Sequence, residues 1–95
     1  MELRQLEYFQ MVCRLGNVTR AAESLHTSQP NVTAAIQKLE GELGVALFGR
    51  TKKRFTLTPE GEIFLQRINL ALGQIADALL EISDYRQLKK GKMFF

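Results

Sequence analysis

Apolar residues recur at helical spacing in four stretches of the chain, and one short alternating stretch separates the third from the fourth. Leu6, Phe9 and Cys13 share a face of a helix running from about Leu3 to Leu15, with Gly16 as its natural stop and Cys13 assigned to the core. Thr19 is the expected N-cap of a short second helix through Ala21, Ala22 and Leu25 that ends near His26. The paired alanines permit a close helix crossing. Ser28 is the expected N-cap of a third helix, and Pro30 is tolerated in its first turn, where backbone N–H groups have no intrahelical acceptor. Val32, Ile36, Leu39 and Leu43 then form a core stripe, and Gly44 marks the end.

The segment LFGRTKKRFTLTPEG reads differently. Leu47 and Phe48 lead into a basic tip, and Phe55 and Leu57 alternate with Thr56 and Thr58, which predicts a two-stranded hairpin over about 47–57. Thr58 caps a fourth helix, with Pro59 at its first position and Glu60 and Glu62 in its first turn. With no proline after Pro59, this helix can run to about Leu88, roughly 45 Å at about 1.5 Å per residue. Along it Leu65, Ile68, Leu72, Ile75, Leu79 and Ile82 repeat at alternating intervals of three and four, an unbroken seam of the coiled-coil type. Only its first turns can pack on the chain's own head, through Phe64 and Ile68, so the outer part calls for a partner helix. The ending KKGKMFF breaks the pattern at Gly91, and residues 89–95 read as the opening of a further domain.

The expected fold is therefore mainly α. Residues 1–58 form a winged helix-turn-helix of three helices and a two-stranded wing, with the helix-turn-helix at about 18–40, and 59–88 form a long linker and dimerisation helix. In this arrangement the second helix of the pair enters the major groove of duplex DNA. Its face away from the apolar stripe carries Gln29, Asn31, Thr33, Ala34, Gln37 and Lys38, with no acid before Glu40. Asn and Gln can bridge adenine N6 and N7, and Thr and Ala methyl groups can touch the thymine methyl. Taken alone, the same face fits a plain solvated surface equally well.

Charge narrows the choice. The formal net charge is only +3, but residues 1–40 and 59–95 are each balanced, and the excess lies in 41–58. There Arg50, Lys52, Lys53 and Arg54, with Thr51 among them, face a single Glu42. A focus of this kind suits contact with a polyanion at one defined place. With 45% apolar and 24% charged residues, the composition is that of an ordinary folded protein. Ninety-five residues bury little surface, so extra burial from a partner chain is expected. The lone Cys13, the absence of a signal-peptide pattern in MELRQLEYF, and the lack of an apolar run approaching about 18 residues point to a cytoplasmic location without a membrane partner. His26, the only histidine, and Cys13 lack a second ligand at metal spacing or a triad-like partner, so neither a metal site nor an enzyme is expected.

In order along the chain, Leu3, Leu6, Phe9, Ala21, Ala22, Leu25, Ser28, Gln29, Pro30, Ile36, Leu39, Glu40, Leu43, Gly44, Leu47, Phe48, Arg50, Thr58 and Gly61 resemble the signature of LysR-type transcriptional regulators. The densest pieces are AAExLHxSQP, IxxLExxLGxxLFxR and LTPEG. The resemblance implies a winged helix-turn-helix that binds double-stranded DNA as a homodimer through antiparallel linker helices. It also implies tetramers in many full-length members, and an interrupted palindromic operator with a T and an A at fixed distance. A small co-inducer would be sensed by a C-terminal periplasmic-binding-protein-like domain, so no cofactor is expected in this chain. Ser28, Gln29 and Pro30 match the start of the family's recognition helix. Thr33 stands where Ser is usual, whereas Ala34 and Ala35 depart from a frequent Arg and Gln, which shifts weight to Lys38 and the basic tip. The main competing reading is a module that pairs through its linker helix with a full-length relative and needs no DNA of its own.

Overall fold

A computed structural model of the chain describes residues 1–51 and 54–91. They form helices α1 (Leu3–Leu15), α2 (Val18–Ser24) and α3 (Gln29–Leu43), strands β1 (Phe48–Thr51) and β2 (Arg54–Leu57), and helix α4 (Pro59–Gly91). The winged helix-turn-helix followed by a long helix is the architecture that the apolar pattern predicts. Glycines end two of the helices as expected: Gly16 and Gly44 adopt φ of +67° and +75°, and their N–H groups donate to Val12 and Glu40 carbonyls. Only glycine takes that left-handed conformation without a steric cost.

Three local expectations need correcting. The buried face of α1 is centred on Phe9 and Val12, with Leu6 and Cys13 on its flanks, so Cys13 is half-buried. Helix α2 is capped by Asn17, whose Oδ1 accepts from the Arg20 N–H at 2.9 Å, and not by Thr19. An earlier start brings Val18 into the core beside Ala21 and Ala22. Helix α4 continues through Lys89 to Gly91, past the boundary expected at Leu88, while residues 92–95 lie outside the described residues. The turn after α2 is made by His26, a non-glycine at φ +58°, which leaves this side chain exposed at a helix end.

Phe9 organises the core. Its ring lies 5.5 Å from Phe48 on β1 and 5.3 Å from Phe64 on α4, both tilted by 57°, the inclined arrangement that aromatic pairs favour. A second junction sits at Leu47, whose side chain is fully buried. The Glu40 carboxylate of α3 accepts from the N–H groups of Leu47 at 2.9 Å and Phe48 at 3.3 Å. On the other side, the Leu47 carbonyl accepts from the Thr58 N–H at 3.0 Å. The Thr58 hydroxyl donates to the Ala46 carbonyl at 2.7 Å and accepts from the Gly61 N–H at 2.9 Å, confirming Thr58 as the cap of α4. Gly61 must be glycine for lack of room: a Cβ there would strike the Leu47 carbonyl oxygen and come within 2.8 Å of Leu57 Cδ2.

The seam of α4 has two owners. Leu65 packs against the core and Ile68 is 7% exposed, both covered by the chain's own head, and Gln10 of α1 donates to the Asn69 side chain at 2.7 Å. Leu72 is half-buried, whereas Ile75, Leu79 and Ile82 are 40%, 67% and 61% exposed. The self-packed part therefore extends one turn beyond Phe64 and then stops. The helix projects from the head, giving extents of 60 × 25 × 19 Å. Among the described residues, α4 is long and apolar enough by length and composition to cross a membrane, although its sequence is not an uninterrupted apolar run. Its apolar positions keep heptad spacing and are separated by charged residues such as Arg67, Asp77 and Glu81, a pattern of the coiled-coil type.

Gly61→Ala is expected to lower the unfolding free energy in urea by about 3 kcal/mol, the upper range for overpacking, because the obstacle is backbone. Gly41→Ala, where nothing lies within 4 Å of the added Cβ, is expected to raise it by about 0.5–1 kcal/mol. Glu40→Ala strips the Leu47 N–H of its acceptor and is expected to cost about 1–3 kcal/mol, whereas Glu40→Gln, which keeps an acceptor oxygen, costs less in the same measurement.

Candidate nucleic-acid interface

At about 100° per residue, the buried Val32, Ile36 and Leu39 and the half-buried Leu43 fall on one side of α3. Pro30, Ala34, Gln37 and Lys38 therefore lie opposite, and all four are exposed. Ser28, Gln29 and Asn31 are exposed at the helix start, and Thr33 is half-buried at the edge of the face. Pro30, Ala34, Gln37 and Lys38 thus share one solvent-facing strip, whereas Gln29, Asn31 and Thr33 flank it near the helix start, with Thr33 the least accessible.

The start of that strip is ordered by its own hydrogen bonds. Ser28 Oγ accepts from the Asn31 N–H at 3.2 Å, the expected N-cap. Asn31 Nδ2 donates to Thr27 Oγ1 at 3.1 Å, and the Thr19 hydroxyl donates to Gln29 Oε1 at 3.3 Å. Thr19, which the sequence suggests as a cap, instead holds a side chain of the next helix. The two acids of α3 are turned to other uses. Glu40 is engaged with the wing strand, and Glu42 pairs with the N-terminal ammonium of Met1 at 3.0 Å. An exposed pair of this kind adds little stability, but it leaves Lys38 without a competing acid on the strip.

The wing pairs antiparallel, with Phe48 opposite Leu57, Gly49 opposite Thr56, Arg50 opposite Phe55 and Thr51 opposite Arg54. Phe48 and Leu57 anchor its base in the head. Arg50, Thr51 and Arg54 therefore occupy the distal half of the hairpin; Lys52 and Lys53 lie outside the described residues. The linkage between wing and recognition helix through Glu40 was missed by sequence reasoning. Its one signal was an acid at the edge of a core stripe, seven residues before Leu47.

Cys13 borders the elbow between head and rod, in a recess with Gln10, Arg14, Leu65 and Asn69. Burial pushes its thiol up to about 12, so it stays protonated and is a packing group.

Comparison with known proteins follows the same outline. The chain is 39% identical over 94 residues to the HTH-type transcriptional regulator BsdA of Bacillus subtilis, covering 98% of this chain and 32% of that protein. It is 45% identical over 95 residues to the Hca operon transcriptional activator HcaR of Escherichia coli, covering 96% and 32%. The chain thus spans about a third of the length of these relatives. Among solved structures, the DNA-binding domain of CbnR in complex with DNA superposes with a TM-score of 0.79 at 40% identity, covering 90% of this chain and 98% of that one. A profile of the bacterial regulatory helix-turn-helix proteins of the lysR family matches residues 3–62, and with these likenesses it establishes that the chain belongs to the LysR family of helix-turn-helix regulators.

Proposed function

We propose that this chain binds duplex DNA sequence-specifically as a homodimer and serves as the DNA-binding portion of a transcription regulator in the bacterial cytoplasm. The observation that carries this reading is the exposed strip of α3, free of competing acid and joined through Glu40 to a basic wing. Inserted into the major groove, Gln29, Asn31 and Gln37 reach base edges, while Pro30, Thr33 and Ala34 offer apolar contact to thymine methyls. Lys38 and the wing residues Arg50, Thr51, Lys52, Lys53 and Arg54 meet phosphates or the minor groove. The CbnR domain carries DNA on the same fold, which supports this assignment of roles.

Pairing follows from the bare seam. Leu72, Ile75, Leu79 and Ile82 form the interface, whereas Leu65 and Ile68, already packed on the head, contribute as its inner support. An antiparallel arrangement centred on this row sets Leu72 opposite Ile82 and Ile75 opposite Leu79 of the other copy. The two recognition helices then address the two halves of an interrupted palindrome. Binding and positioning are this chain's work, and no catalytic step is assigned to it.

Selection of bound sites from a random DNA pool, with the protein's mass measured in solution, tests the reading. A monomer with no preference among duplexes overturns it, and a dimer that ignores sequence favours the pairing-module alternative. Affinity is expected to fall about a thousandfold or more between low and moderate salt if each copy engages several phosphates. Gln29→Ala should relax preference at one base pair per half-site by about 1–3 kcal/mol. Lys53→Ala should weaken all sequences alike and flatten the salt slope by about one unit. The double substitution Leu79→Glu and Ile82→Glu should yield monomers by sedimentation while leaving the head's circular dichroism unchanged.

A further inference from the structure

Gln29 is exposed at the first residue of α3, yet its side chain is not unattached. Its Oε1 accepts from the Thr19 hydroxyl of α2 at 3.3 Å. A primary amide has two unlike ends, an oxygen that only accepts and a nitrogen with two N–H donors. Engaging the oxygen turns the nitrogen away from α2. Thr19 itself stands on a firm base, because Asn17 caps the helix and Val18, Ala21 and Ala22 are buried in the core. At the next exposed amide the polarity is reversed: Asn31 spends its Nδ2 on Thr27 Oγ1 at 3.1 Å and keeps its oxygen.

We propose that Thr19 is a positioning residue that fixes the polarity of Gln29, so that Gln29 presents hydrogen-bond donors to the major groove. The base edge it selects is one that offers acceptors, guanine N7 and O6 or thymine O4. Adenine is disfavoured there: beside its N7 acceptor it presents an N6 donor, which meets the amide's own donors unless the oxygen already held by Thr19 turns its second lone pair to it. This rests on the assignment of Gln29 to base readout. Thr19 acts through Gln29 and touches no base.

The test is equilibrium binding of the chain to its selected site and to variants of that site at each base pair. Gln29→Ala first identifies the pair that Gln29 reads; if no pair loses preference, the readout assignment fails and this inference with it. Where one pair does respond, Thr19→Val and Thr19→Ala are expected to reduce preference at that pair by about two- to tenfold, the range for one hydrogen bond. Both should leave the other pairs and the salt slope unchanged and add nothing in the Gln29→Ala background. Thr19→Ser, which keeps the hydroxyl, should retain the preference. Intact discrimination in Thr19→Val overturns the proposal while readout by Gln29 stands. So does equal weakening on all sequences with a flatter salt slope, which marks Thr19 as a phosphate ligand. A preference for adenine at the responding pair overturns the assigned polarity.

Discussion

The backbone of Leu47 is the constraint on which the molecule's three working parts depend. Its N–H is held by Glu40 of the recognition helix, and its carbonyl is held by the Thr58 N–H at the entry to the long helix. Gly61 presses against the same carbonyl. The side chain is fully buried, so the strand cannot shift to relieve one of these contacts without disturbing the others. Recognition helix, wing and linker are thereby tied at a single residue, and the orientation of each is set relative to the other two.

Helix existence and extent were largely legible because each helix has a local signal that packing did not override. Gly16 and Gly44 end helices whose apolar periods stop at the same points, and Ser28 and Thr58 cap where an apolar period begins. Competing caps were harder to separate. Asn17 and Thr19 are both good capping residues, and the choice was decided by burial of Val18, which no local rule weighs. The strip of α3 was legible as a complement of the core stripe. Its internal hydrogen bonds were not, because Thr19 and Gln29 meet only once two helices cross. Glu40 was hidden for the same reason: an acid beside a core stripe looks like a solvated side chain until the strand it serves is in place.

The apolar seam shows how one sequence pattern can carry two meanings. Periodicity gives Leu65 through Ile82 as a single row, and nothing in their spacing distinguishes the residues spent within the chain from those left over. Phe9 makes the division. By drawing Phe64 against its ring it brings the first turns of α4 onto the head, covering Leu65 and Ile68 and leaving Ile75 onward in solvent. Folding of the head and the proposed association of two chains thus draw on separate parts of one helix.

The grip of Gln10 on Asn69 makes the long helix a lever. From that pivot to Gly91 the arm is roughly 33 Å, against roughly 15 Å back to Pro59, at about 1.5 Å per residue. A bend of roughly 10° at the pivot, which leaves the clamped turns before it in place, carries the far tip by about 6 Å, a shift comparable to the rise of two base pairs. Small adjustments at the elbow are therefore amplified at the free end of the helix, and in the proposed pair they would retune the spacing between the two heads.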